Sequence, residues 1–186
     1  MKPRFATFIS MFLMTMPGLG LLGGMLAGLP TSAAAQENHD HSAPSKLVQM
    51  VREATRQFVD VNNAGDYQPL FGCVSGPDHG AMGIHYINVK LLDSEIIASQ
   101  PEALIYEPVG DRRRLVGVEY IVDAAAWVAA HPGMPPPALE GQAFQFVDAP
   151  NRYGIAPFFE LHVWAWRDNP NGAFVDWNNK VSCEGQ

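Results

Sequence analysis

The apolar residues of this chain change their period once, and that change does most to limit the folds open to it. From Ser45 onward, Leu47, Val51, Ala54, Phe58 and Val61 recur at spacings of three and four, the pattern of an apolar stripe along one helix. Ser45, directly after Pro44, is suited to cap its start, and Asn62-Asn63-Ala64-Gly65 to stop it. Beyond that stop the helical spacing disappears. Ile84 to Leu92, Ala103 to Val109, Leu115 to Val122, Gln142 to Val147 and Phe158 to Arg167 are rich in β-branched and aromatic residues and read as strands. Gly110-Asp111-Arg112-Arg113 joins the second and third as an antiparallel hairpin. Asp123 to Ala130 is an Ala-rich turn or short helix capped by Asp123, and "HPGMPPP" (His131 to Pro137) is an exposed loop or lid. One helix followed by five or six mainly antiparallel strands predicts an α+β fold, with an N-terminal amphipathic helix packed on a curved sheet or open barrel.

The chain ahead of the helix reads as a targeting segment. Lys2 and Arg4 form a positive start, Thr7 to Leu29 carries no charge, and Ala33-Ala34-Ala35 supplies an A-x-A cleavage site. The uncharged run is long enough for an uncleaved anchor, but its repeated Gly and Pro and its small-residue exit point to cleavage after Ala35. The expected organisation is a signal peptide over 1–35, a flexible leader over 36–45 and a single domain over 46–186. Export implies a periplasmic or secreted bacterial protein with no membrane span in the mature chain. The leader "QENHDHSAPS" carries His39 and His41, a spacing that binds divalent metal weakly, and no site is assigned there.

Without residues 1–35, the 12 Lys+Arg fall to 10 against 19 Asp+Glu, a formal charge of −9. Such a surface repels phosphate, so nucleic acid is not an expected partner. Two cysteines, Cys73 and Cys183, are present. In an exported chain a Cys73–Cys183 bridge is the expected outcome, with a pair of free or metal-bound thiols as the alternative, and closing a loop of about 110 residues is worth roughly 4–5 kcal/mol in the chain-entropy account.

Strand 158–167 carries the most unusual chemistry. Alternation puts Glu160, His162, Trp164 and Trp166 on one face and Phe159, Leu161, Val163 and Ala165 on the other. The first face suits either a pocket wall or a wet face covered by amphipathic rings. In the hairpin, Glu107 and Glu119 each sit in an otherwise apolar strand, and a buried carboxylate needs a partner. If Ile105 lies opposite Glu119, both carboxylates share a face; a slip of one residue separates them. Beside His85 and His162 they would complete a two-His, one- or two-carboxylate set that suits zinc, copper or iron. The plainer outcome is a salt bridge to one of Arg112 to Arg114, Arg152 or Arg167. No nucleophile elbow, H-E-x-x-H or phosphate loop is present. The glycines of "SGPDHGAMGIHYIN" do not match a dinucleotide fingerprint, and suit a sharp turn into the strand that carries His85.

"CVSGPDHGAMGIHYIN", "PEALIYEP", "RLVGVEYIV" and "FFELHVWAWRDNPNGAFVDWNNKVSC" together resemble a family of exported bacterial proteins of unknown function. Its members look like C-V-x-x-P…G-A-M-G-x-H-Y-x-N, P-E-x-L-x-Y-E-P, V-x-V-E-Y and H-x-W-x-W…N-P-x-G-x-F…W-N-P-x-V-x-C. The likeness runs from about Cys73 to Cys183. It departs at Asn179, where the family tends to proline, and at Asp78-His79, where it is glycine-rich. The resemblance implies that Cys73, His85, Tyr86, Glu107, Glu119, Tyr120, His162, Trp164 and Cys183 occupy motif positions, and it implies no reaction.

The expectation is an exported binding domain for a small molecule or a divalent metal. His85, Glu107, Glu119 and His162 would line its pocket, with Tyr86, Tyr120, Trp164 and Trp166 as ligand-binding aromatics. An enzyme using the same groups as base and electrophile is the alternative. A third is an envelope interaction protein with exposed aromatics.

Overall fold

A computed structural model describes residues 44–184 and 186; the segments read as signal peptide and leader, with His39 and His41, lie outside the described residues. Helix α1 spans Lys46–Thr55, and the strands are β1 Gln68–Gly76, β2 Gly80–Ile87, β3 Ala103–Val109 and β4 Arg112–Asp123. After helix α2 (Ala124–Ala130) come β5 Ala138–Leu139, β6 Gln142–Ala143, β7 Gln145–Val147 and β8 Phe158–Val163. Six strands form one antiparallel sheet in the order β1-β2-β3-β4-β8-β7, curled into a half-barrel, and β5 and β6 pair separately. The fold is therefore mixed α+β. Among the described residues no helix is long and apolar enough to cross a membrane.

Ser45 caps α1 by accepting from the Val48 N–H at 3.3 Å, and the helix buries Leu47, Val48, Val51 and Thr55. It stops sooner than the apolar spacing predicts. The Thr55 hydroxyl bonds back to the Val51 carbonyl at 2.6 Å, and the Asp60 carboxylate takes the Asn62 N–H at 3.0 Å. Short polar side chains compete for backbone groups in this way, and the chain continues as two tight turns over Arg56–Val59 and Val61–Asn63.

Three strand boundaries also differ from expectation. The stretch from Ser75 to Gly80 is the turn of a hairpin whose first arm, β1, shows no strand signal because Pro69, Gly72 and Gly76 interrupt it. Asn88 ends β2 by accepting from Lys90 N–H, so Val89–Leu91 forms a turn of 3₁₀ helix. Strand β8 ends at Val163, where the Ala165 N–H turns back to the Val163 carbonyl at 2.9 Å.

The sheet has two distinct faces. Leu104, Tyr106, Val118, Tyr120, Val122, Phe159, Leu161 and Val163 pack against α1 and form the main core. Three tyrosine hydroxyls on that side are tied to carbonyls: Tyr67 to Pro101 at 2.7 Å, Tyr106 to Phe58 at 2.7 Å and Tyr120 to Ala98 at 2.6 Å. The opposite face is covered by the loop between β7 and β8 and by the segment after β8. That segment is held to β2 by the paired backbone bonds of Ala81 and Asn178, and to β1 by the Cys73–Cys183 disulfide.

Candidate functional site

Register explains why buried ionisable groups meet on the second face. Glu119 of β4 lies directly opposite His162 of β8, and Ile121 opposite Glu160. On the other side of β4, Glu119 faces Ala103 of β3, while His85 of β2 faces Ile105. Position 103, opposite Glu119, carries only a methyl group, and across β3 His85 Nε2 comes within 3.3 Å of Glu119 Oε2. Two glycines bring the strands close enough. A Cβ on Gly83, whose φ is +108°, would stand 2.8 Å from the Tyr106 carbonyl oxygen, and one on Gly117 would stand 2.7 Å from that of Val163.

His162 completes the group. Its ring stands perpendicular to that of His85 with centroids 5.8 Å apart, and donor atoms of His85, Glu119 and His162 lie within 4.8 Å of one another. A second, overlapping group joins His162 to Glu160 and Asp176 within the same span. Asp176 Oδ1 approaches His162 Nδ1 at 3.6 Å and accepts from Gln145 Nε2 at 2.6 Å. The indole of Trp164 lies nearly parallel to the His162 ring at 6.4 Å and donates to the Val175 carbonyl at 2.5 Å, which fixes the segment that carries Asp176.

The environment is dry. His85, Glu119, Glu160 and His162 are each at most 4% exposed. Both ring nitrogens of His85, both of His162 and Oε2 of Glu160 have no aligned hydrogen-bond partner among the described residues. Burial, with His162 nearby, pushes the His85 imidazolium down to about 3 despite the opposing Gly83 carbonyl, so the ring is neutral. Burial, then the adjacent Glu160, then Asp176 and Glu102, hold Glu119 well above the usual carboxylate range. For Asp176 burial also pushes upward, but the adjacent His162, then Gln145 and Arg152, outweigh it and leave the carboxyl below its ordinary value.

Not every residue singled out from the sequence joins this group. Glu107 shares the parity of Glu119, but the pairing lies two residues off the register that would join them: Glu119 faces Ala103 and Ile105 faces Gly117. An extra residue in β4 opposite Ile105 and Tyr106 shifts the pairing by one more, and Glu107 faces Arg114. There it accepts from Arg114 at 3.3 Å and from the Ser182 N–H at 3.2 Å, the salt-bridge outcome. Tyr86 and Tyr120 point to the helix side, Tyr86 against Tyr106 at 4.7 Å between centroids. Trp166 is also on that side, because β8 ends before alternation reaches it; its indole donates to the Thr55 hydroxyl at 3.0 Å. Trp164 alone of the four expected aromatics lies beside the cluster.

Asp176 and Tyr153 are the residues that sequence reasoning missed. Both come from irregular segments, where no period carries a signal. Tyr153 sits over His85 with centroids 6.4 Å apart. A hollow of about 360 Å³ beside Arg112, Arg113 and Trp166 contains none of the clustered groups.

Comparisons with protein-family models, curated proteins and solved structures find no match, so the reading of this site rests on its own chemistry.

Proposed function

We propose that this chain is an exported binding domain whose His85, Glu119 and His162 hold one divalent transition metal ion. The observation that carries the reading is a pair of buried histidines whose ring nitrogens have no aligned hydrogen-bond partner among the described residues, beside a buried carboxylate. An unsatisfied buried polar group costs roughly 1–3 kcal/mol, and a cation accepting the one lone pair of each ring removes that cost for one nitrogen of each histidine. Two imidazoles and one carboxylate suit zinc, copper or iron. A cation would also reverse the local proton preference, drawing Glu119 into its ionised form.

His162 Nδ1 faces Asp176, so Nε2 is the nitrogen left to bind, and Asp176 orients the ring from behind. A carboxylate on the far nitrogen of a liganding histidine is a common supporting contact. The Cys73–Cys183 bridge and the resemblance to exported bacterial proteins support an extracytoplasmic location, where disulfides persist. The site supports an enzyme less directly, through a Glu119 carboxyl that burial holds well above the usual carboxylate range, 3.3 Å from the His85 imidazole. An interaction role through Trp164 and Trp166 has little support, since Trp164 is only 3% exposed and Trp166 is half-buried against α1.

The test is metal analysis of protein purified without a histidine tag and reconstituted with zinc, copper or ferrous iron. One equivalent per chain is expected, with a rise in melting temperature that chelation reverses and His162→Ala removes. Failure of all three metals to bind sinks the reading.

A further inference from the structure

Between the second face of the sheet and the loop that follows β7 lies a small chamber. Among the described residues, Phe71, Ile87, Ile121, Tyr153, Ile155 and Phe158 form its apolar walls, and His85 and Glu119 are its only imidazole and carboxylate. His162, Glu160 and Asp176 do not line it. The polar cluster therefore meets the chamber through two of its proposed metal ligands and no other group. The free volume is about 20 Å³, on the scale of one or two water molecules.

The roof is built rather than accidental. Asn151 organises the loop: its Oδ1 accepts from the Tyr153 N–H at 3.2 Å and the Ile155 N–H at 3.4 Å, and its Nδ2 donates to the Asp148 carbonyl at 3.2 Å and that of Ile155 at 3.0 Å. This holds the Tyr153 ring down on Phe71 at 5.1 Å and Phe158 at 6.0 Å between centroids, and its hydroxyl reaches Met82 Sδ at 3.6 Å. Tyr153 thus fills the space directly over His85.

We infer that this chamber is the ligand pocket of the metal centre, taking compact molecules of one to three heavy atoms, with Tyr153 setting the size limit. The inference rests on the metal reading above. The ligand class is water or hydroxide, a diatomic gas, or a linear triatomic anion. Each binds a metal through one donor atom and needs no further polar contact from walls that offer almost none. A larger polar or multiply charged ligand would lose its hydration there without replacement.

Cobalt(II) provides the test, because its visible absorption reports changes in its ligands. Azide, linear and three atoms long, should shift the spectrum of the cobalt-loaded protein with saturation. Imidazole, a five-membered ring, should leave it unchanged at the same concentrations. Tyr153→Ala should admit imidazole, with at least a tenfold gain in apparent affinity, and Phe71→Ala provides the same test from the opposite wall. Wild-type protein that ignores azide, or that accepts imidazole as readily as azide, overturns the inference while leaving the metal site standing. So does a folded, cobalt-loaded variant pair that still excludes imidazole. Lack of cobalt uptake by the wild type instead removes the metal centre, and the pocket's role with it.

Discussion

His85 Nε2 and Glu119 Oε2 approach to 3.3 Å across an intervening strand, β3, whose Ala103 lies opposite Glu119. Position 103 is fully buried and puts only a methyl group on that face.

Replacing that methyl should therefore separate the two. Ala103→Val adds volume to a packed site, which costs roughly 1–3 kcal/mol. The expected result is a folded but less stable protein whose melting temperature no longer responds to zinc. A zinc response of wild-type size in a folded variant would show that the pair does not depend on the gap.

Glu107 and Glu119, indistinguishable by residue type and strand context, should part company on substitution. Glu119→Gln removes a proposed ligand and should abolish metal uptake. Glu107→Gln should leave uptake intact and only loosen the contact of Ser182 and Arg114 with β3. Paired metal titrations and melting curves of the two variants check this.

Asp176 acts on the metal only through His162 in this scheme. Asp176→Asn should weaken metal affinity by roughly 10–100-fold while one equivalent still binds at saturation. Loss of stoichiometry would make Asp176 a direct ligand, and unchanged affinity would leave it no role at the metal.

Glu102, whose charge also bears on Glu119, gives a pH dependence of its own. Burial pushes its carboxyl from 4.5 up to about 8, although the Ile121 N–H donates to it at 3.0 Å. A folded value above the unfolded one means the contribution is complete below about pH 4.5 and is lost as pH rises through 8. Wild-type stability should fall relative to Glu102→Gln across pH 5 to 8, by an amount on the order of a few kcal/mol. Urea denaturation of metal-free protein at several pH values measures it; parallel curves contradict the assignment.

Removing the Cys73–Cys183 bridge by a double Cys→Ser change should cost about 2–5 kcal/mol. The melting temperature of the reduced wild type should match that of the variant. A variant as stable as the oxidised protein would mean the closed loop is already constrained by other contacts.

Alternation in β8 made half of the site legible in advance. Glu160 and His162 fall on one face and Phe159, Leu161 and Val163 on the other, and this required only a period of two. The limits of that reading are equally physical. Trp166 departs from its expected face because a turn after Val163 ends the strand, and Glu107 is carried away because β3 and β4 pair two residues off the register that would join it to Glu119. Neither event leaves a trace in the local composition. The β1 hairpin arm is a strand held by its partner despite Pro69 and Gly72, a case of pairing overriding propensity. Asp176 and Tyr153 reach the site from loops, where only tertiary contacts decide direction.

The attachment of Asp176 also orders events in time. Asp176 and Cys183 follow all eight strands in the chain. During synthesis, every strand must emerge before either residue reaches its partner. The sheet and its histidines can assemble first, with His162 lacking its supporting carboxylate and β1 lacking its covalent tie. The cluster is thus closed by the last segment to arrive, and a metal ion taken up earlier would meet a half-built site.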